Sequence, residues 1–258
     1  MKMEEARILE REAHTFLSQE KLEEAFRLFK RAGYLYKAQG NHKQSALCFA
    51  SAGSCWSKLS GEKTFYNSAF SYQEAAKEAE KSQDYEYASL LYRYSAINYE
   101  RDGEFLNFSE CFYKSKEAYR KFLTYKLSFK KKIQPIIETT KEKGLRGFIK
   151  SILLWILLTF SYLLWGHGER PLRTFFFALG VIFLSAFFYT FGSLSSPEHF
   201  RPGFFEALYF SVITFTTVGF GDITPVGFTK WIATAEALSG VFIIPLLVIG
   251  LSRKYLRI

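Results

Sequence analysis

Cysteine is scarce, with Cys48, Cys55 and Cys111 the only three in 258 residues. An odd number, no metal-ligand spacing and aromatic neighbours exclude a disulfide framework, so buried structural thiols are expected. Also missing are a phosphate-cradling glycine loop, a His/Cys/Asp/Glu cluster and a nucleophile–base constellation. Nothing therefore points to an enzyme or to an organic cofactor. No apolar segment carries Arg or Lys at every third position, which excludes a voltage-sensing helix. The opening MKMEEARILEREAH is charged and amphipathic with no apolar core. It does not resemble a cleavable secretory signal, and the first half is expected to stay cytosolic.

Charge is unevenly spread. Up to Gly147 there are 26 Lys and Arg against 20 Asp and Glu, a net of +6, with apolar residues at helical spacing. From Phe148 onward only 8 basic and 5 acidic residues remain in 111 positions, gathered between long apolar runs. The first half reads as water-soluble and the second as lipid-embedded. The basic residues form no single stripe, so lipid is the expected anionic partner and nucleic acid is not.

Turn-like residues recur at Gly40, Gly61, Ser82 and Gly103, each 21 positions after the last. That period marks an internal repeat, with stacked antiparallel helices of about 17 residues. Ala25, Ala32, Gly33 and Tyr36 are echoed by Ala46, Ala52, Gly53 and Trp56, then by Ala69, Ala75 and Ala76, and by Ala88, Ala96 and Tyr99. Small residues let helices approach while aromatic rings fill the grooves. AFRLFKRAGYLYKAQGNHKQSALCFASAG and YASLLYRYSAINYERDG resemble the tetratricopeptide-like solenoid of the soluble attachment proteins of vesicle fusion. The resemblance covers roughly residues 4 to 125. It implies a helical solenoid over residues 1–125 with a face for a protein or peptide ligand, or for sister subunits.

A basic linker follows over residues 126–147, containing Lys126, Lys130, Lys131, Lys132, Lys141, Lys143 and Arg146. Beside a bilayer it suits anionic headgroups, Lys130, Lys131 and Lys132 above all, and serves equally as a positive-inside signal. The apolar runs are Phe148 to Gly166, Thr174 to Gly192 and Phe228 to Leu251. Two spans satisfy the charge rule: Arg170, Arg173, Arg253, Lys254 and Arg257 then lie inside, and the acidic loop with Glu198, Glu206 and Asp222 lies outside. Residues 148–169 are then expected to lie in the interface or dip in as a short hairpin, with Trp155 and Trp165 at headgroup level. The alternative is a true span with an external N-terminal domain.

Residues 170–258 carry GFFEALYFSVITFTTVGFGDITPVGF, a short helix from Phe204 to Phe215 followed by non-helical backbone. Irregular backbone at membrane depth is tolerated where it lines a cavity. The run TTVGFGD offers consecutive carbonyls with glycines that permit alternating backbone twists. Carbonyls of Thr217, Val218, Gly219 and Phe220 are expected to stack as rings around permeant K+, with the Thr217 hydroxyl completing the innermost site and Gly221 closing the mouth. The helix dipole directs partial negative charge from near Thr216 toward the ion path.

These residues are similar to the two-transmembrane potassium channels, from about Arg170 to Leu251. The resemblance implies an all-α chain, a solenoid followed by a potassium-channel pore domain of outer helix, pore helix, filter and inner helix. It also implies that Asp222 and Tyr209 brace the filter from behind. One motif per chain requires four copies about one axis, hence a homotetramer. Phe220 stands where Tyr is commoner, and Ile213 occupies a pore-helix position acidic in some relatives. Gly240 and Pro245 are candidate gating bends, Gly240 equally a packing contact. Glu236, ionisable at membrane depth, is expected to bond to pore-helix hydroxyls behind the filter. His167 and His199 are read as bystanders.

Only seven residues follow Leu251, so regulation is expected through the solenoid, the linker or the lipid. The whole reads as a potassium channel of the plasma membrane with both termini cytoplasmic. The alternatives are a nonselective cation channel or a membrane-tethered helical-repeat scaffold. In sealed right-side-out vesicles the N-terminal half should resist added protease; its digestion would overturn the two-span topology.

Overall fold

The computed structural model describes residues 2–59, 64–128, 145–196 and 198–255. Gly61, Lys130, Lys131, Lys132, Lys141, Lys143 and Arg257, singled out in the sequence, lie outside the described residues. The chain divides into two units, Met1–Phe160 and Ser161–Ile258.

The first unit opens with six helices among the described residues: α1 (Lys2–Ser18), α2 (Leu22–Ala38), α3 (His42–Ser57), α4 (Thr64–Lys81), α5 (Tyr85–Asp102) and α6 (Phe105–Leu127). Each packs on the next in sequence, as a helical repeat requires. The turns are built alike. An amide reaches back five residues in Lys21 to Phe16 (3.0 Å), Asn41 to Tyr36 (3.0 Å), Asp84 to Ala79 (3.0 Å) and Glu104 to Tyr99 (2.9 Å). Such a turn needs one left-handed residue. Glycine supplies it at Gly40 (φ 72°) and Gly103 (φ 81°), but Glu20 (φ 60°) and Gln83 (φ 62°) fill it elsewhere. The turn marker expected at Ser82 therefore sits one residue later. Asn41 and Asp84 then cap α3 and α5 by accepting from the amides of Gln44 and Tyr87.

Alanines and glycines line the helix contacts as the repeat predicts, with Ala32, Ala46, Ala52, Ala69, Ala75, Ala76 and Ala88 fully buried. Gly33 lies under the Phe49 ring and Gly53 under Tyr72. Buried serines reinforce the contacts: Ser45 donates to the Gly33 carbonyl, Ser68 to Gly53, Ser95 to Ala69 and Ser115 to Ser89, at 2.8 to 2.9 Å. The three cysteines are buried free thiols, and burial raises each thiol pKa, keeping them protonated.

Glu74 and Glu78 of α4 are exceptions to this apolar interior. Burial opposes their ionisation, but Lys37 and Lys77 on Glu74, and Lys81, His42 and Lys37 on Glu78, outweigh it and hold both carboxyls below the usual carboxylate range. Lys37 is raised in turn, chiefly by its bond to Glu74.

A further helix, α7 (Leu145–Trp165), runs unbroken, so residues 148–165 do not form the dipping hairpin that was one expectation. A 3₁₀ turn (Gly166–Gly168) leads to α8 (Pro171–Tyr189). There follow β1 (Ser193–Ser196), β2 (Glu198–Phe200), α9 (Phe204–Phe215), β3 (Thr224–Val226) and α10 (Thr229–Tyr255). The helical class holds, with one addition: an antiparallel three-stranded sheet in the order β2-β1-β3. Among the described residues, three helices are long and apolar enough to cross a membrane, at Leu145–Gly168, Pro171–Tyr189 and Thr229–Tyr255, against the two spans expected. α9 is a shorter apolar helix.

In the second unit α8 and α10 run antiparallel. Thr229 at the start of α10 packs at Gly192 just past α8, while Gly250 near its end packs at Pro171. Arg170, Arg173, Arg253 and Lys254 thus share one end of the pair, and Asp222 and the sheet share the other.

Because the lowered carboxylates bind fewer protons folded than unfolded, their stabilisation is complete above the ordinary carboxylate range. It is lost as pH falls through the lowered values. Thermal melts of the solenoid's helix signal should drop in midpoint below about pH 4.5, and Glu78→Gln should flatten that dependence. An unchanged slope would contradict the assignment.

Candidate functional site

The segment from Thr216 to Asp222 is set by the end of α9. The start of that helix is capped by Glu206, whose carboxylate accepts from the Gly203 amide at 2.9 Å, and its end is closed by the Thr216 hydroxyl donating to the Val212 carbonyl at 2.7 Å. Beyond it the amides of Val218 and Gly219 both turn back to the Ile213 carbonyl, at 3.0 and 3.3 Å. A trans peptide is planar, with N–H and C=O opposed, and no cis bond interrupts the chain among the described residues. The carbonyls of Thr217 and Val218 must therefore point away from α9.

Backbone hand alternates along the same stretch. Thr217 (φ 61°), Gly219 (φ 54°) and Gly221 (φ 80°) are left-handed, while Val218 and Phe220 are not among the positive-φ residues. Alternation of this kind keeps successive carbonyls on one side instead of letting them diverge, as they would in a strand. Glycine takes the left-handed region freely, but threonine does so at a cost of about 1 kcal/mol or more. The glycine twists were expected; the twisted Thr217 was not. In a single chain the stretch is uncovered, with Val218 54% and Phe220 69% exposed.

Three supports hold it. Tyr209 on α9 donates to Asp222 at 2.8 Å, the pairing the resemblance implied. β3 follows at once and pairs with β1 through Ser195–Thr224, Leu194–Pro225 and Ser193–Val226. Thr229, fully buried, accepts from the Val226 amide at 2.8 Å and lies 3.1 Å from the Ser193 carbonyl. A side chain on Gly192 would collide with Thr229, so glycine is obligatory there. The sheet and the Thr229 contact escaped sequence reading, because strands of three and four residues carry too little alternation to register.

The third support is Glu236, 2% exposed on α10. Tyr189 of α8 donates to its carboxylate at 2.6 Å, and Ser211 of α9 donates to its other oxygen. Three helices converge on one carboxylate, inside a core of Ala186, Tyr189, Leu194, Ala207, Phe210, Ile213 and Ala233. The pore-helix hydroxyl was foreseen; Tyr189 was not, although it is the one tyrosine closing a phenylalanine-rich helix.

Gly240 lies one turn further on, its face against the Phe215 carbonyl, which an added Cβ would strike. Its role in this conformation is close helix approach. α10 continues as one helix through both Gly240 and Pro245, so neither position bends the chain enough to end it. Gly240 follows Thr229 by 11 residues, about 16 Å of helix. The C-terminal end of α9 thus meets α10 near its middle.

Comparison with known proteins also divides the chain into two parts. Residues 3–127 match the family described as soluble NSF attachment protein, SNAP. Residues 152–256 match the family described as ion channel. Protein LctB of Geobacillus stearothermophilus is 50% identical over 44 residues, 17% of this chain and 32% of that protein. Protein LctB of Bacillus caldotenax is 48% identical over 44 residues, with the same shares. The chain thus spans about a third of the length of these curated relatives. No solved structure matches the chain.

Removing the Glu236 carboxylate leaves the buried Tyr189 hydroxyl without its acceptor, at about 1–3 kcal/mol, while Ser211 keeps the Ile182 carbonyl at 2.8 Å. Glu236→Ala should therefore lower the melting temperature of the purified protein and disturb opening or assembly more than ion preference. Intact assembly with unaltered opening would exclude the role. Gly240→Ala should destabilise by roughly 1–3 kcal/mol through the Phe215 clash, whereas Leu238→Ala, 57% exposed two residues before, should not. Residues 152–256 thus match an ion channel family and hold most of the membrane-length apolar helices found among the described residues, and they follow residues 3–127, which match the SNAP family.

Proposed function

We propose that the chain is one subunit of a homotetrameric potassium-selective channel, with K+ as the permeant ion. The observation that carries this reading is the run Thr217–Gly221, whose left-handed residues fall at every second position and whose Val218 and Gly219 amides bond the Ile213 carbonyl, which turns the Thr217 and Val218 carbonyls to the opposite side. Aligned carbonyls replace an ion's hydration shell only when they surround it. One chain supplies one side, and four copies about an axis close the ring. The exposed Val218 and Phe220 then become interior to the assembly.

Potassium is favoured over a nonselective path because Thr217, Val218, Gly219, Phe220 and Gly221 are all present without a gap and Asp222 is braced by Tyr209. Phe220 keeps the carbonyl and forgoes a hydroxyl at the mouth. The acidic mouth residue Asp222 at one end of α8 and α10, and the arginines at the other, favour a filter on the outside of the plasma membrane and a cytoplasmic C-terminus. The solenoid would then be cytoplasmic as well, with α7 at the inner membrane surface.

The test is potassium uptake into proteoliposomes with sodium as competitor. We expect potassium flux that sodium fails to match, and its loss in Gly219→Ala, whose side chain opposes the left-handed twist. No flux would defeat the channel, and equal flux of both ions would defeat the selectivity.

A further inference from the structure

Some ion pairs of the solenoid lie on open flanks, as with Arg27–Glu23 and Arg31–Glu5. A second group converges in a cleft of about 520 Å³ between α2, α4, α5 and α6. On its floor Glu78, with no exposed side-chain surface, meets Lys81 at 2.8 Å, Lys37 at 3.6 Å and His42 at 2.7 Å. Glu74 meets Lys37 at 2.8 Å and Lys77 at 2.7 Å. Glu80 accepts from Lys121 at 3.2 Å and from the Tyr92 hydroxyl at 3.0 Å.

Cohesion of the repeat does not account for this network. Buried pairs contribute little beyond what apolar packing of the same volume supplies, and the other helix contacts are made with alanine, serine and tyrosine. The arrangement does something else: carboxylates at the base hold lysines whose outer sides stay wet. Side-chain exposure is 33% at Lys37, 40% at Lys77, 50% at Lys81 and 46% at Lys121. Lys114, 35% exposed and 3.5 Å from Glu110, completes the rim. Five lysines line the cleft against three glutamates, a surplus of positive charge.

Aromatic rings fix the rim further. Lys121 sits 5.6 Å from the Tyr85 centroid and Lys114 5.9 Å from that of Tyr92. Tyr85 itself stacks on Tyr125 at 5.2 Å. Ammonium groups already ordered lose less side-chain entropy when a ligand arrives. Each carries three donors, more than the carboxylate bonds described for Lys77, Lys81 or Lys121 use. The volume lies within the range of small-molecule clefts, and the charge is recessed instead of spread as a stripe.

We propose that this cleft binds a small anion bearing two or more linked phosphates, held by the lysine rim with Tyr85 available to an attached ring. The proposal does not depend on which ion crosses the membrane domain. It can be tested on the full chain in detergent by calorimetric titration with pyrophosphate and with magnesium-free ATP. We expect one saturable site per chain, weakened by salt, and about tenfold weaker in Lys81→Ala/Lys121→Ala. Tighter binding of ATP than of pyrophosphate would assign the gain to Tyr85. The charge-matched Arg27→Ala/Arg31→Ala, outside the cleft, should bind as the parent does. Should the lysine pair melt early, Lys121→Glu alone, on an exposed side chain, must still weaken binding. No saturable binding, equal loss in both double variants, or tighter binding of a hexaglutamate peptide would overturn the proposal.

Discussion

The constraint on which the second unit depends is that seven residues of irregular backbone, Thr216 to Asp222, must be held open at the depth of apolar helices. In lipid such backbone has no water to satisfy it, so it survives only where it faces a polar path and is fixed from behind. Everything adjacent serves that fixation. The Ile213 carbonyl holds two amides, Tyr209 holds Asp222, β1 holds the departing strand, and Glu236 ties α8, α9 and α10 into one block. Gly240 lets α10 come close enough to support the end of α9.

The solenoid solves a different problem with a different chemistry. Its helices approach through alanine and glycine, and a single buried hydroxyl crosses most contacts to satisfy a carbonyl. The repeated turn tolerates Glu20 and Gln83 in the left-handed position, so the turn is specified by its reach-back hydrogen bond more than by glycine. Glu74 and Glu78 are buried charges between helices, and each carboxylate has at least two cationic partners.

How much was legible in advance follows from the length scale of each signal. A 21-residue period over four units announces stacked helices, and long apolar runs announce membrane-length ones. Thr217 to Gly221 were legible because glycines at alternate positions have few other uses. Three features lay below that resolution. Thr217 adopts a hand its side chain disfavours, the strands are too short to show alternation, and the Tyr189 partner of Glu236 comes from 47 positions away. Such contacts are products of packing, and no local pattern encodes them. The Gly166–Gly168 turn, with α7 continuous before it, likewise reflects tertiary placement that hydropathy alone left open.

Thallium mimics potassium in size and charge and scatters anomalously, so crystals of the full chain soaked in a thallium salt test the central claim directly. The account predicts a column of anomalous peaks on a fourfold axis, level with the carbonyls of Thr217, Val218, Gly219 and Phe220. An ordered Thr216–Asp222 segment with no axis of four copies, or with no thallium between its carbonyls, would contradict it.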